Sequence, residues 1–321
     1  MNADLLLSNL TNPTLLFFLL GVVAHMVKSD LEIPPTTIKF ISLYLLFSIG
    51  FKGGQELAHE HLNTQVGKEL VFGMAIASLI PFYAFYLLRN KLGVQNAGAV
   101  AAAYGSVSAV TFVAATGFLE AKELVYNGHM VAIMALMESP AIIVGMVLLM
   151  RYDRESTERP TLGHMLRHSF TNASVLILIG SLFIGLVADA KQAEGIKPFT
   201  TDIFKGFLAI FLLEMGMVTA ARFKAFRAYG WYALAVAVIL PMINGCAVAW
   251  LSGSITTEVG DRFMFAILAA SASYIAVPAA MRLAAPKADP GLYIPMALGV
   301  TFPFNITVGM PLFHAIVQST T

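Results

Sequence analysis

Residues 104–111 read Tyr104-Gly105-Ser106-Val107-Ser108-Ala109-Val110-Thr111, and residues 271–278 read Ser271-Ala272-Ser273-Tyr274-Ile275-Ala276-Val277-Pro278. Each stretch lies near the middle of a long apolar run. Small residues let two backbones approach closely, and Gly or Pro interrupts a helix. A helix broken at this depth has unpaired N–H groups at the start of one half and unpaired carbonyls at the end of the other. The N–H end holds an anion and the carbonyl end a cation. Irregular backbone inside a membrane is tolerated only where it lines a cavity or is buried in protein. Taken singly, either stretch reads as tight helix packing. As a matched pair in two halves of one chain, they point to the substrate site of a secondary transporter.

The rest of the chain fits that setting. Of 321 residues, 58% are hydrophobic and 12% charged, against about 25% charged in an ordinary soluble domain. Such a chain needs an apolar solvent. A helix crosses the hydrocarbon with about 20 apolar residues. Ten runs approach that length: 14–28, 36–52, 68–88, 97–118, 129–150, 173–190, 203–221, 229–251, 262–284 and 292–316. The expected fold is an all-α membrane protein of ten transmembrane helices. A net charge of +1 argues against a nucleic-acid partner, which calls for a basic face. Before the first run the only charge is Asp4, so no positive region marks a cleavable signal peptide. Cys246 is the single cysteine, reads as a small buried hydrophobe and permits no internal disulfide. No phosphate-binding Gly-x-x-x-x-Gly-Lys pattern is present, so ATP-driven transport is not expected.

The long hydrophilic interruption, residues 151–172, divides the runs into a first repeat over 1–150 and a second over 173–321. Pro81 pairs with Pro241, Ser106 with Ser271 and Pro140 with Pro303, at offsets of about 160–165 residues. Gly50–Gly54 and Glu214–Met217 form a weaker fourth pair. Repeats of five helices must lie in opposite orientations, and inverted repeats are a mark of secondary transporters. Most Lys and Arg fall on the side of the 151–172 hinge. Lys52, Lys68, Lys122, Lys191, Lys197, Lys205 and Arg262 fall on the other. The positive-inside rule then makes the hinge cytoplasmic and places both termini outside.

Four more polar residues fall near mid-membrane depth: Glu138, Glu214, Asn244 and Asn305. A carboxylate there is costly and is a functional candidate. The asparagines are expected to hydrogen-bond between helices. Glu56, His59, Glu60 and His61 form a helix-end cluster that reads as solvated, and His25 and His314 read as packing or interfacial residues. An intramembrane serine hydrolase would need a base at the depth of Ser106 or Ser108, and no His or Lys matches it. The chain is therefore not expected to be an enzyme.

The residues resemble the SbtA-like sodium-dependent bicarbonate permeases over nearly the whole length. The resemblance rests on Asn12-Pro13-Thr14-Leu15, Ile49-Gly50-Phe51-Lys52-Gly53-Gly54 and Tyr104-Gly105-Ser106-Val107-Ser108 with Thr111. It continues in Met137-Glu138-Ser139-Pro140-Ala141, Met215-Gly216-Met217, Ala269-Ala270-Ser271-Ala272-Ser273 with Pro278, and Thr301-Phe302-Pro303. It implies a gate of helices one, two, six and seven, and a core of the others whose fourth and ninth helices cross at the substrate. It also implies an inner-membrane homotrimer that imports bicarbonate, or a similarly small anion, with sodium. In some members a PII-like protein regulates from the cytoplasm. Carried over, the anion sits at Gly105, Ser106, Val107, Ser273, Tyr274 and Ile275, and sodium at Ser108, Thr111, Ser271, Ser273 and Glu138. The chain departs from the family pattern at Tyr274, where an aspartate is expected, at Glu138 for aspartate, at Val110 for serine and in a shorter hinge. An organic-anion permease of the bile-acid-transporter type is the alternative.

Overall fold

With no water in the hydrocarbon, each apolar run satisfies its backbone polar groups as a helix. The computed structural model describes residues 13–59, 64–152, 173–226, 230–274, 277–278, 281, 285 and 287–320. The hinge, apart from its first two residues, lies outside them, as does Ile275. All the regular structure among the described residues is helical: α1 (Pro13–Met26), α2 (Pro35–His59), α3 (Thr64–Gly105), α4 (Ala109–Ala121), α5 (His129–Tyr152), α6 (Ala173–Val187), α7 (Phe204–Phe226), α8 (Gly230–Leu251), α9 (Val259–Ala270) and α10 (Pro290–Ser319). Short helical turns lead into α7.

Among the described residues, five segments are long and apolar enough to cross a membrane: Thr64–Ala121, His129–Tyr152, Pro198–Ala221, Gly230–Ser254 and Pro290–Ser319. The flanks of α8 match a bilayer. Trp231 and Trp250 are 84% and 64% exposed. They stand about 28 Å apart along the helix at about 1.5 Å per residue, close to the hydrocarbon thickness of about 30 Å, with aromatic rings at each interface.

The Thr64–Ala121 segment has 58 residues, far more than one crossing needs. It folds back at Gly93, whose φ of 77° and ψ of 162° belong to a region open essentially only to glycine. Pro81 and Gly105 are equally distant from Gly93 in sequence, and they touch: a Cβ at Gly105 would collide with the Pro81 ring. The sequence reads runs 68–88 and 97–118 as separate helices joined by a loop. Instead, helix continues through Arg89–Leu92 and Val94–Gly105, and a single residue makes the turn.

Close packing joins α1 to α7 and α2 to α6. Gly21 and Gly216 lie against the backbones of Leu213 and Phe18, and Gly185 lies against that of Phe51. Tyr44 on α2 donates to the Phe199 carbonyl at 2.5 Å. Elsewhere α5 lies along α3, where the Tyr86 and Tyr152 hydroxyls are 3.0 Å apart and the Arg89 guanidinium lies over both rings. In α10, Pro295, Pro303 and Pro311 remove N–H donors, and the helix widens into π turns at Met296–Thr301 and Asn305–Gly309.

Arg262, counted from sequence among the loop charges, is buried in the first turn of α9. It donates to the Ala249 carbonyl at 3.1 Å and the Thr320 hydroxyl at 2.5 Å.

Candidate functional site

Helix α3 stops at Gly105 and α4 begins at Ala109; residues 106–108 between them are not helical. Ser108 caps α4, its hydroxyl accepting from Thr111 N at 3.2 Å. An N-cap serine stabilises a helix start in this way. On the other strand of the crossing, α9 stops at Ala270, residues 271–274 are non-helical, and helix resumes at Val277. There the Ser273 hydroxyl accepts from Val277 N at 3.4 Å.

The two breaks hold each other. Ser108 N donates to the Ser271 hydroxyl at 3.0 Å, and Ser273 N donates to the Ala103 carbonyl at 2.8 Å. The Ser271 hydroxyl in turn donates a hydrogen bond to the Leu268 carbonyl at 2.8 Å. Supporting bonds come from α8 and α10. Asn305 Nδ2 donates to the Ala270 carbonyl at 2.8 Å. The Tyr104 hydroxyl lies 2.7 Å from that of Thr301, which donates to the Ala237 carbonyl. Tyr83 donates to Asn244 between α3 and α8. Both asparagines therefore bond between helices, as their sequence context suggests.

A cavity of about 30 Å³ opens beside this crossing, lined by Leu46, Val107, Ser108, Ala109, Met134, Ala135, Glu138, Leu178, Ser273 and Tyr274. Its walls come from α2 and α6 on one side and from α5 and the two breaks on the other. Among the described residues, the N–H groups of Val107 and Tyr274 have no acceptor. Glu138 has no hydrogen-bond or ion-pair partner there either. The Tyr274 hydroxyl is buried against Ser108 without a well-formed hydrogen bond.

Val107, Ser108, Ser273, Tyr274 and Glu138 thus share one cavity. Gly105 packs behind it on Pro81, and Ser106 N is used by the Ala102 carbonyl. Thr111 and Ser271 support the crossing without lining the cavity. The Ser106 hydroxyl is buried with no partner, and neither it nor Ser108 bonds to a His or Lys among the described residues. Glu214 is half-buried on α7 and outside this cavity.

A wider recess of about 540 Å³ lies along the same α2–α4 seam and includes Ser48, Lys52, Thr116, Glu120 and Lys205. Along α4, Thr116 is about 10 Å from Ala109 at about 1.5 Å per residue. A third recess, of about 480 Å³, is lined in part by the buried Glu69 and His129. With Asp261 they form a buried cluster that the sequence does not announce. The three stand near the starts of different helices, with no motif spacing to link them.

The profile of the Na+-dependent bicarbonate transporter superfamily matches residues 13–318. The chain belongs to this superfamily. A search of curated proteins returned no match. Membership covers both breaks and every lining residue of the cavity. It makes the chain a multi-pass membrane protein of a transporter family, and it is the family's description that names Na+ dependence.

Proposed function

We propose that the protein imports bicarbonate together with Na+ by alternating access, with the anion in the cavity between Ser108, Ser273, Tyr274 and Glu138. The observation that carries this reading is the size and place of that cavity. Its 30 Å³ is about a tenth of the smallest volumes typical of drug-sized ligands, roughly 300–1,000 Å³. A small anion fits such a space and a sterol-sized one does not, which disfavours the organic-anion alternative.

The chemistry follows from the donors. The N–H groups of Val107 and Tyr274, which have no acceptor among the described residues, suit an oxyanion together with the positive end of α4. Sodium takes oxygens from Ser108, Ser273 and Glu138, with Thr111 and Ser271 supporting the site. An ionised Glu138 beside a bound anion is unfavourable in a low-dielectric setting. Sodium cancels that charge first, which makes the anion's binding depend on the cation. The cavity lies where the α2–α6 pair meets the crossing, so sliding one unit on the other opens it to either side. The recess near Lys52 and Lys205 supplies a route to one end.

The same reading includes ten spans in two inverted five-helix repeats, an inner-membrane location, both termini outside and a homotrimer. A PII-like partner at the hinge would contact residues outside those described.

Thermal unfolding of the detergent-purified protein tests the ligand set. Bicarbonate with Na+ should raise the midpoint, by the linkage of binding to stability. Ser273→Ala should remove the shift, and cholate-type anions should give none. A shift with cholate but not with bicarbonate refutes the reading.

A further inference from the structure

We propose a second cation site, for a zinc-type divalent metal, formed by Glu69, His129 and Asp261 at the end of the bundle away from the Gly93 turn. It rests on none of the transport chemistry above. One ligand atom from each residue lies within 4.8 Å of the other two. His129 Nε2 is 2.5 Å from Glu69 Oε2 and 3.9 Å from Asp261 Oδ2. Zinc binds imidazole nitrogen and carboxylate oxygen at about 2.0–2.2 Å, so its ligand atoms lie at most about 4.4 Å apart. A small inward movement of one carboxylate, and a small separation of Glu69 from His129, reaches that geometry.

The surroundings are those of a built site. The three side chains are 2%, 5% and 0% exposed. Asp261 is fixed by two bonds from Asn127, N to Oδ1 at 2.8 Å and Nδ2 to Oδ2 at 2.6 Å. Glu69 Oε1 accepts from Gln65 at 2.8 Å. Partners of this kind orient metal ligands. Two buried carboxylates share one imidazole, and even a protonated His129 leaves one negative charge in the cluster. A divalent ion replacing the imidazole proton brings it to neutrality. The recess of about 480 Å³ beside Glu69 and His129 gives the ion an entry path and leaves room for a water in the fourth position, the pattern of an open zinc site. The donor set, one imidazole and two carboxylates, suits zinc, cobalt or manganese better than a soft ion.

The position is structural. Glu138 is nine residues along α5 from His129, about 14 Å at about 1.5 Å per residue. Metal here ties together the starts of α3, α5 and α9, which carry the two breaks and Glu138.

The test uses full-length protein in detergent, stripped with chelator and titrated with Zn2+ and with Co2+. The expected result is one ion per chain, with visible absorption for Co2+ of the four-coordinate type. His129→Gln and Asp261→Asn should each weaken binding at least tenfold, whereas His59→Ala with His61→Ala should leave it unchanged. His129→Cys should keep Co2+ and add a thiolate-to-cobalt charge-transfer band, which appears only if the metal touches residue 129. That spectrum decides the matter if the other variants do not fold. Lack of stoichiometric binding, binding unchanged by His129→Gln and Asp261→Asn, or loss in the His59/His61 variant overturns the proposal. The cluster is then a proton-bridged clamp between helices.

Discussion

The backbone N–H of Ser108 donates to the hydroxyl of Ser271 at 3.0 Å, joining the two broken helices at their crossing. Both residues are buried, so the bond has no water to replace it. Ser271→Ala leaves Ser108 N unpaired, and an unsatisfied buried donor costs about 1–3 kcal/mol. Thermal unfolding in detergent should show a destabilised Ser271→Ala and a near-native Ser271→Thr, whose hydroxyl is retained. Equal stability of Ser271→Ala and wild type would mean that the crossing is held by other contacts.

Gly93 gives a prediction independent of packing. A Cβ there would meet no neighbouring atom within 4 Å, yet its φ is 77°. Gly93→Ala should therefore cost about 1–3 kcal/mol through backbone strain alone. Gly67, also in open space but within α3, should respond in the opposite direction. Gly67→Ala should stabilise by about 0.5–1 kcal/mol. Chemical denaturation of the two variants side by side measures the contrast, and a neutral Gly93→Ala would contradict the hairpin.

The helix breaks are legible in the sequence because Gly, Ser and Pro clustered inside an apolar run weaken the helix at that point. Ser108, Ser273 and Tyr274 stand in those clusters, and they line one cavity. Gly105 misleads for a physical reason: a small residue serves close packing as well as ligand approach, and here Pro81 fills the space. The turn between runs 68–88 and 97–118 is legible, but its sharpness is not, because Gly93 alone makes it and helix continues on both sides. Glu69, His129 and Asp261 leave no trace because proximity across three helix starts imposes no spacing in sequence. Arg262 reads as a loop charge because burial of an arginine depends on carbonyls and hydroxyls supplied from elsewhere, here Ala249 and Thr320.

Glu138 is expected to carry the coupling. Glu138→Gln keeps the shape and removes the charge, so the apparent Na+ affinity should fall about tenfold or more, equivalent to about 1.4 kcal/mol. Transport at saturating bicarbonate, measured across a sodium series, checks this. Wild-type rates and coupling in the variant would remove Glu138 from the mechanism.

Tyr274 offers a neutral donor where the resemblance leads one to expect an aspartate. Its hydroxyl is buried beside Ser108 without a good partner, so a bound anion supplies the missing acceptor. Tyr274→Phe should lower bicarbonate affinity about 2–10-fold, the worth of one hydrogen bond at about 0.5–1.5 kcal/mol. Tyr274→Asp should make binding depend more steeply on sodium, because the added carboxylate repels the anion until a cation intervenes. Calorimetry at several sodium concentrations separates the two effects. Wild-type behaviour in both variants would reduce Tyr274 to a packing residue.

Uptake of labelled bicarbonate into proteoliposomes, with and without an inward sodium gradient, tests the central claim most directly. The cavity and its charge predict uptake that is driven by the gradient, collapses when sodium is equal on both sides, and is lost in Ser108→Ala with Ser273→Ala. Uptake at the same rate without sodium, or no accumulation of bicarbonate by correctly folded protein, would contradict it.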